Sequence, residues 1–179
     1  MHRDPLLKEL ETYRARHPEE TAMLDRFIAF VKNHPDCFER HLEIGHITGS
    51  AWVVNKPGTH VLLTHHAKLD MWLQLGGHAD GYSDIREVAL REAREESGLN
   101  DFTPVGPGIF DADIHLIPAR KSEPAHYHYD IRFAFETCHL ADYSVSDESH
   151  ELAWVAIDRI EEYTTEESML RMAKKWQSR

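Results

Sequence analysis

The sequence predicts an α/β domain in which a mixed β-sheet lies between helices, preceded by a helical N-terminal extension. Apolar residues recur at helical spacing over residues 6–32, 85–89 and 165–176. Runs typical of strands, rich in β-branched and aromatic residues, occupy 46–66 and 125–137. We find no internal repeat, low-complexity tract or linker. We therefore expect one domain, with the extension at residues 1–40 and the main domain at 41–179.

The composition narrows the class of protein. A chain of 179 residues with 41% hydrophobic and 28% charged residues suits one globular domain. The formal net charge of −11 argues against a nucleic-acid polymer as partner. Two cysteines, Cys37 and Cys138, are too few for a disulfide framework or a thiolate zinc site. Since there is no membrane-length apolar run and no signal-peptide pattern, we expect a cytoplasmic protein without a membrane partner.

The extension predicts two helices, at 6–16 and 18–32, with Pro18 in the first turn of the second and a break at Asn33-His34-Pro35. We favour packing of this hairpin on the core, with a dimer interface or a substrate lid as the alternative. Strands are predicted at 46–55, 60–66, 71–75 and 153–157, with one or two more between 102 and 118. A short helix should follow Asp158, and Thr165 is a candidate N-cap for the last helix.

The strand predicted at 125–137 alternates in character. Its apolar face carries Tyr127, Tyr129, Ile131, Phe133 and Phe135. Its polar face carries His126, His128, Asp130 and Arg132. Two interpretations stay open for the polar face: a metal site formed by His126, His128 and Asp130, or a polar cleft, which we favour.

Residues 76–99 combine a glycine loop with an amphipathic helix. Ser83 or Asp84 can cap the helix, and Gly98 can end it. The side chains of Glu92, Glu95 and Glu96 fall within about a third of a turn, where three carboxylates repel one another. A divalent cation would remove that repulsion by binding several carboxylate oxygens. The alternative is a charged face in contact with solvent.

This stretch resembles the signature of the Nudix hydrolase family, G-x5-E-x7-R-E-U-x-E-E-x-G-U, where U is a bulky apolar residue. The matching residues are Gly77, Arg91, Glu92, Glu95, Glu96, Gly98 and Leu99, with the small Ala93 at the first U position. Two positions depart from it: Ser83 replaces the midway glutamate, and Tyr82 replaces the glycine before it. In the family that glutamate supports the arginine, so Arg91 needs another partner. Glu87, Asp80 and Asp84 are the candidates.

The resemblance implies an α/β/α sandwich with a mixed sheet and the hydrolysis of a diphosphate linkage in a nucleoside diphosphate derivative. It implies Mg²⁺ or Mn²⁺, held by Glu92, Glu95, Glu96 and the Gly77 carbonyl, with Arg91 orienting Glu92. The catalytic base is one of the helix glutamates or a carboxylate on a distant loop, for which the sequence offers Glu123, Asp147, Glu148 and Glu151. Because many relatives are dimers, the resemblance also makes a homodimer an option.

Substrate groups are expected beside the predicted metal. His78 follows the double glycine, and the polar strand could present His128, Asp130 or Arg132 to a diphosphate. Arg132 suits either a charge clamp on phosphate or a structural salt bridge. We expect Trp72 to fill the core rather than stack on a base.

Two other functions compete with hydrolysis. A non-catalytic Nudix module that binds a nucleotide or a protein would explain Ser83 and Tyr82, but it has no need of three repelling carboxylates. An isomerase of the isopentenyl diphosphate type would need a catalytic cysteine. Since we expect Cys37 and Cys138 to be buried, inert thiols, the isomerase ranks lower.

Overall fold

The fold is built on an eight-stranded mixed sheet, seen in a computed structural model that describes residues 2–120, 124–140, 143–145 and 149–179. The strands are β1 (Gly45–Asn55), β2 (His60–His66), β3 (Met71–Leu73), β4 (Leu75–His78), β5 (Thr103–Pro104), β6 (Asp111–Ile117), β7 (His126–Thr137) and β8 (Ser149–Ala156). β1 runs parallel to β7 along its whole length, and the other pairings are antiparallel. β1 also pairs with β2 and β4, so it is central to the sheet.

Among the described residues, four α-helices accompany the sheet: α1 (Asp4–Arg16), α2 (Thr21–Asn33), α3 (Ile85–Ser97) and α4 (Glu167–Gln177). The predicted start of the second helix, Pro18–Glu20, is a separate 3₁₀ turn, and the predicted short helix after Asp158 is the 3₁₀ segment Ile157–Glu162. Thr165 is not the N-cap that we expected. Glu166 occupies that position, and its N–H binds the Thr164 hydroxyl at 3.3 Å.

The two faces of the sheet carry different helices because side chains alternate along each strand. Ile47, Ala51 and Val53 of β1 share an apolar core with α1, α2 and α3, which defines the α3 face. Trp52 and Val54 share a second core with α4 and the 3₁₀ segment before it, which defines the α4 face. The mixed sheet between helices confirms the predicted fold class.

The N-terminal helices are part of the α3-face core. Phe30 of α2 stacks on Tyr129 of β7 with 3.7 Å between ring centroids, and Phe27 meets the same ring edge-on. These contacts are the packing on the core that the sequence analysis favoured for the hairpin. Within the part of the chain that the structure describes, no helix is long and apolar enough to cross a membrane.

Candidate active site

Helix α3 places the predicted carboxylates against the double glycine. Of the two candidate caps, Asp84 is the one used: its carboxylate accepts the N–H of Glu87 at 3.2 Å. Gly98 ends the helix in the left-handed conformation, with φ +69°. Buried Val88, Ala89 and Ala93 fix the apolar side of α3 on the sheet. The rotation of the helix therefore turns the glutamates towards β4.

Glu96 and Glu92 lie against the backbone of β4. The N–H of Gly76 donates to Glu96 at 3.0 Å, and Glu96 is only 6% exposed. A Cβ at Gly77 would lie 2.5 Å from the Glu92 carboxylate, so a side chain there would displace it. The Glu95 side chain is 64% exposed, against 17% for Glu92. The site is therefore a narrow gap between α3 and β4 that Glu95 borders from the solvent side.

The hydrogen bonds of Arg91 go to neighbours other than the candidates named from sequence, although the nearby charge of Asp80 also contributes to raising the pKa of Arg91. Its guanidinium donates to Glu92 at 2.8 Å and to the His78 carbonyl at 3.1 Å, and it lies 4.0 Å from Glu95. The Tyr82 ring, with its centroid 5.3 Å from the guanidinium carbon, provides a cation–π contact. The hydrogen bond with Glu92 raises the pKa of Arg91. Arg91 thus orients Glu92 without Glu87.

Asp80 and Asp84, the other candidates for supporting Arg91, have different main partners. The Asp80 carboxylate accepts a bidentate pair of hydrogen bonds from Arg40, and that pairing lowers the pKa of Asp80. Asp84 is the N-cap of α3. Tyr82, which departs from the family signature, therefore contacts Arg91 where we had expected support from a carboxylate.

Asp130 and Arg132 lie in a buried ionic network on the α4 face. Arg132 donates to Asp130 at 2.7 Å and to Asp111 at 2.9 Å, and its side chain is 2% exposed. Asp130 also accepts from Thr48 and Ser50, both at 2.8 Å. These contacts realise the structural salt bridge, one of the two roles that the sequence left open for Arg132. A phosphate clamp would require Arg132 to leave its carboxylates.

Further cations complete this network. Arg171 of α4 contacts Asp111 at 2.8 Å and Asp113 at 3.0 Å, and Lys175 contacts Asp111 at 2.6 Å. The pKa values of Asp111 and Asp113 are lowered, although burial alone would raise them, because the surrounding cations and hydrogen bonds outweigh burial. The network therefore ties α4 to β6 and β7.

His78 and His128 meet a residue that the sequence analysis missed, His46 of β1. The ring centroids of His46 lie 5.0 Å from His78 and 4.9 Å from His128, and His78 and His128 are 5.1 Å apart. Asp130 does not join His126 and His128 as a metal ligand set, because it is committed to the ionic network. Only the parallel register that places His46 beside His128 would have revealed the cluster, and spacing along one strand does not contain that information.

Burial keeps the imidazoles of His46 and His128 neutral. It lowers the pKa of His46 to about 4, helped by the proximity of His78 and His126 and weakly opposed by the backbone of Leu42. Burial and the neighbouring histidines lower the pKa of His128 to about 2. Both rings therefore offer a nitrogen lone pair at neutral pH.

The remaining candidates lie elsewhere. Cys37 is buried, and burial raises the pKa of its thiol to about 11, whereas Cys138 is exposed, so the prediction that both thiols are buried is wrong for Cys138. Trp72 is partly buried against the α4-face core and stacks on His65 with 5.1 Å between centroids. Among the candidate bases, Glu151 is an exposed residue of β8. Glu123, Asp147 and Glu148 lie outside the described residues.

Comparison with known proteins gives one family model and several solved structures that match this chain. The family model for the NUDIX domain matches residues 46–176. The chain is similar to a MutT protein from Methanosarcina mazei Go1, with 20% identity, coverage of 76% of this chain and 96% of that one, and a TM-score of 0.57. A NUDIX-family hydrolase from Clostridium perfringens shows 23% identity, coverage of 74% and 97%, and a TM-score of 0.53. An Ap4A hydrolase from C. elegans shows 16% identity, coverage of 74% and 95%, and a TM-score of 0.53. No curated protein matches significantly.

Proposed function

We infer the function from one premise: this chain belongs to the NUDIX domain family, whose model covers residues 46–176. It is accordingly a Nudix hydrolase. We propose that it hydrolyses the diphosphate linkage of a nucleoside diphosphate derivative or a related small phosphorylated metabolite, with Mg²⁺ or Mn²⁺ as cofactor. The observation that carries the proposal is the placement of Glu92 and Glu96 against the Gly76-Gly77 backbone, inside a fold of this family.

The residues in the gap between α3 and β4 suit a hard divalent cation. Carboxylate and carbonyl oxygens are the donors that Mg²⁺ and Mn²⁺ prefer. Glu92, Glu95 and Glu96 would supply the carboxylates, and Gly77 would supply its carbonyl. A side chain at residue 77 would fill the space beside Glu92, so the glycine keeps this cradle open. When bound, the metal would neutralise phosphate oxygens and lower the pKa of a coordinated water.

The chain itself contributes orientation. Arg91 fixes the Glu92 carboxylate through its hydrogen bond and is itself held by the His78 carbonyl and the Tyr82 ring. The N–H of Gly76 fixes Glu96 in the same way. Two carboxylates are thus held in place before a ligand arrives, which reduces the ordering that binding requires.

The family supports the proposed substrate class. The C. elegans relative is an Ap4A hydrolase, so its substrate is a dinucleotide with a phosphoric anhydride chain. We propose the same bond type here and leave the leaving group to experiment, because groups outside the signature determine it. His78 of β4 and His128 of β7 project from the opposite face of the sheet from the glutamates, so we do not assign them to the diphosphate.

A substitution series tests this function. Glu96→Gln and Glu92→Gln should each lower Mg²⁺-dependent turnover of nucleoside diphosphate derivatives by at least about 100-fold, since each removes a charged metal ligand. Glu87→Gln is the matched control, because Glu87 is an exposed carboxylate of the same helix. Turnover would be followed as phosphate and nucleotide release with and without metal.

Two results would contradict the proposal. Near-normal turnover in both Glu92→Gln and Glu96→Gln would remove these residues from the metal site. No metal-dependent release across the substrate panel, with nucleotide binding still measurable by calorimetry, would favour the non-catalytic module.

A further inference from the structure

We propose that His46, His78 and His128 form a second metal site, for Zn²⁺ or a similar transition metal, on the opposite face of the sheet from the glutamates. Each histidine offers a ring nitrogen, and the three nitrogens lie within 4.8 Å of one another. This proposal does not depend on hydrolysis, since it concerns different ligands and a different class of metal.

The buried ring nitrogens of His46 support a metal site. This residue is 3% exposed, yet neither of its ring nitrogens has a hydrogen-bond partner of good geometry among the described residues. The Nε2 atom of His128 is also buried without a partner there. A buried polar atom that makes no hydrogen bond raises the free energy of the folded state, because it has lost its bonds to water without replacement. A metal that accepts these lone pairs would remove that cost.

The strands that carry the three histidines form a rigid scaffold for a ligand set. The three histidines come from neighbouring strands of the sheet: β1 for His46, β4 for His78 and β7 for His128. His46 is the register partner of His128, and His78 is the partner of Thr48, two residues along β1 from His46. Because strands hold their side chains more rigidly than loops do, this is a suitable base for a ligand set.

The distances between the imidazole nitrogens suit a tetrahedral metal ion. Zn–N bonds of about 2.0–2.1 Å at tetrahedral angles place two imidazole nitrogens about 3.4 Å apart. Small side-chain rotations would bring nitrogens that are within 4.8 Å of one another to that separation. Three protein ligands leave one coordination position open, as in catalytic zinc sites.

A cavity connects the histidine site with solvent. A cavity of about 240 Å³, bordered by residues 40–43, opens onto His46, His78 and His126. His126 lies 4.9 Å from His46 between ring centroids, and its Nδ1 is within 2.9 Å of the Pro124 carbonyl. The cavity thus gives a metal ion a path from solvent. The open coordination position of the bound metal would face a ligand in the cavity.

The choice of metal follows from the donors. A set made of imidazoles alone favours Zn²⁺, Co²⁺, Ni²⁺ or Cu²⁺ over Mg²⁺, whose preferred ligands are oxygens. The two sites are therefore expected to select different cations. His78 joins them physically, because its carbonyl holds Arg91 of the glutamate site while its side chain contributes to the histidine site.

The test uses Co²⁺ as the probe, on untagged, chelator-treated protein. Titration of the wild-type chain should give the visible absorption of tetrahedral Co²⁺, saturating near one equivalent, and Zn²⁺ should abolish it. His46→Gln and His78→Asn should each weaken Co²⁺ binding at least about 100-fold. His41→Gln, an exposed histidine that borders the same cavity, and Glu96→Gln should both retain the signal.

Circular dichroism and thermal unfolding check that each variant folds. If His46→Gln unfolds, the partly exposed His78→Asn decides the result by itself. The proposal is overturned if the wild-type chain gives no such absorption, if folded His46→Gln or His78→Asn binds Co²⁺ like wild type, or if only Glu96→Gln abolishes binding. Hydrolysis with Mg²⁺ is measured separately, so failure here leaves the proposed function standing.

Discussion

Two polar clusters lie side by side on the α4 face of the sheet, and they differ in how far their polar atoms are satisfied. The ionic network sets Asp111, Asp113 and Asp130 against Arg132, Arg171 and Lys175, with hydrogen bonds of ordinary length between them. The histidine cluster, whose His128 lies two residues before Asp130 on β7, contains buried ring nitrogens that lack partners among the described residues. The two clusters share strands, burial and polarity, so hydrogen bonding is what separates them.

This difference distinguishes a structural group from a ligand site. A buried charge is tolerable when opposite charges and hydrogen bonds surround it, and it then ties elements together. An unsatisfied buried polar atom raises the free energy of the folded state until something binds it. We therefore interpret the network as a link between α4, β6 and β7, and the histidines as a place where an external ligand completes the structure.

Loss of Arg132 is the change with the largest expected effect. Arg132→Met removes the charge but keeps most of the volume, and it leaves Asp130 without its only cation in the network. We expect the free energy of unfolding to fall by about 3–5 kcal/mol, as for other broken buried pairs. Denaturant unfolding would measure it.

The control is Arg159→Met, which breaks the exposed pair with Glu162 and should leave unfolding unchanged within error. The KM for a diphosphate substrate, measured on the folded Arg132→Met protein, provides the second readout. A KM raised tenfold or more with little loss of stability would restore the phosphate clamp and contradict the structural role.

The pH dependence of unfolding separates the two clusters. In the folded, metal-free chain the pKa values of His46 and His128 are lowered to about 4 and about 2, whereas both titrate near 6.5 when unfolded. The unfolded state therefore binds more protons below pH 6.5, and stability falls as the pH falls from there towards 4. Asp113, whose folded pKa is lowered, contributes stability that is lost only below about pH 4.

Each histidine contributes a slope of at most about 1.4 kcal/mol per pH unit, so His46→Gln should remove about 1–2 kcal/mol of the loss between pH 7 and pH 5. The loss below pH 4 should remain in this variant. Urea unfolding of chelator-treated protein at four pH values would show it. If the free energy of unfolding of the wild-type chain does not change between pH 7 and pH 4.5, burial does not keep these rings neutral.

The same contrast shows what the sequence could predict. Patterns local to one segment predicted the helix that carries Arg91 and the three glutamates, and they predicted the alternation along β7. The predicted fold class was also correct. The histidine cluster depends on the pairing of β1 with β7, more than 80 residues apart, and no single strand encodes it. The contact between Arg91 and the Tyr82 ring was missed for another reason: we sought only a carboxylate as the additional support of Arg91.

The smallest effect is expected from a substitution at Ser50, where the ionic network approaches β4. Ser50 donates to Asp130 at 2.8 Å, and its hydroxyl lies against Gly76, whose N–H holds Glu96. Ser50→Ala should cost about 1 kcal/mol of unfolding free energy, because Asp130 keeps its other donors. Turnover should stay within about twofold of wild type, since Glu96 is held by the backbone.

Thr48→Val, which removes the other hydroxyl donor to the same oxygen, is the matched control. A tenfold loss of turnover in Ser50→Ala alone would show that the ionic network positions Glu96, and the two faces of the sheet would then act as one site.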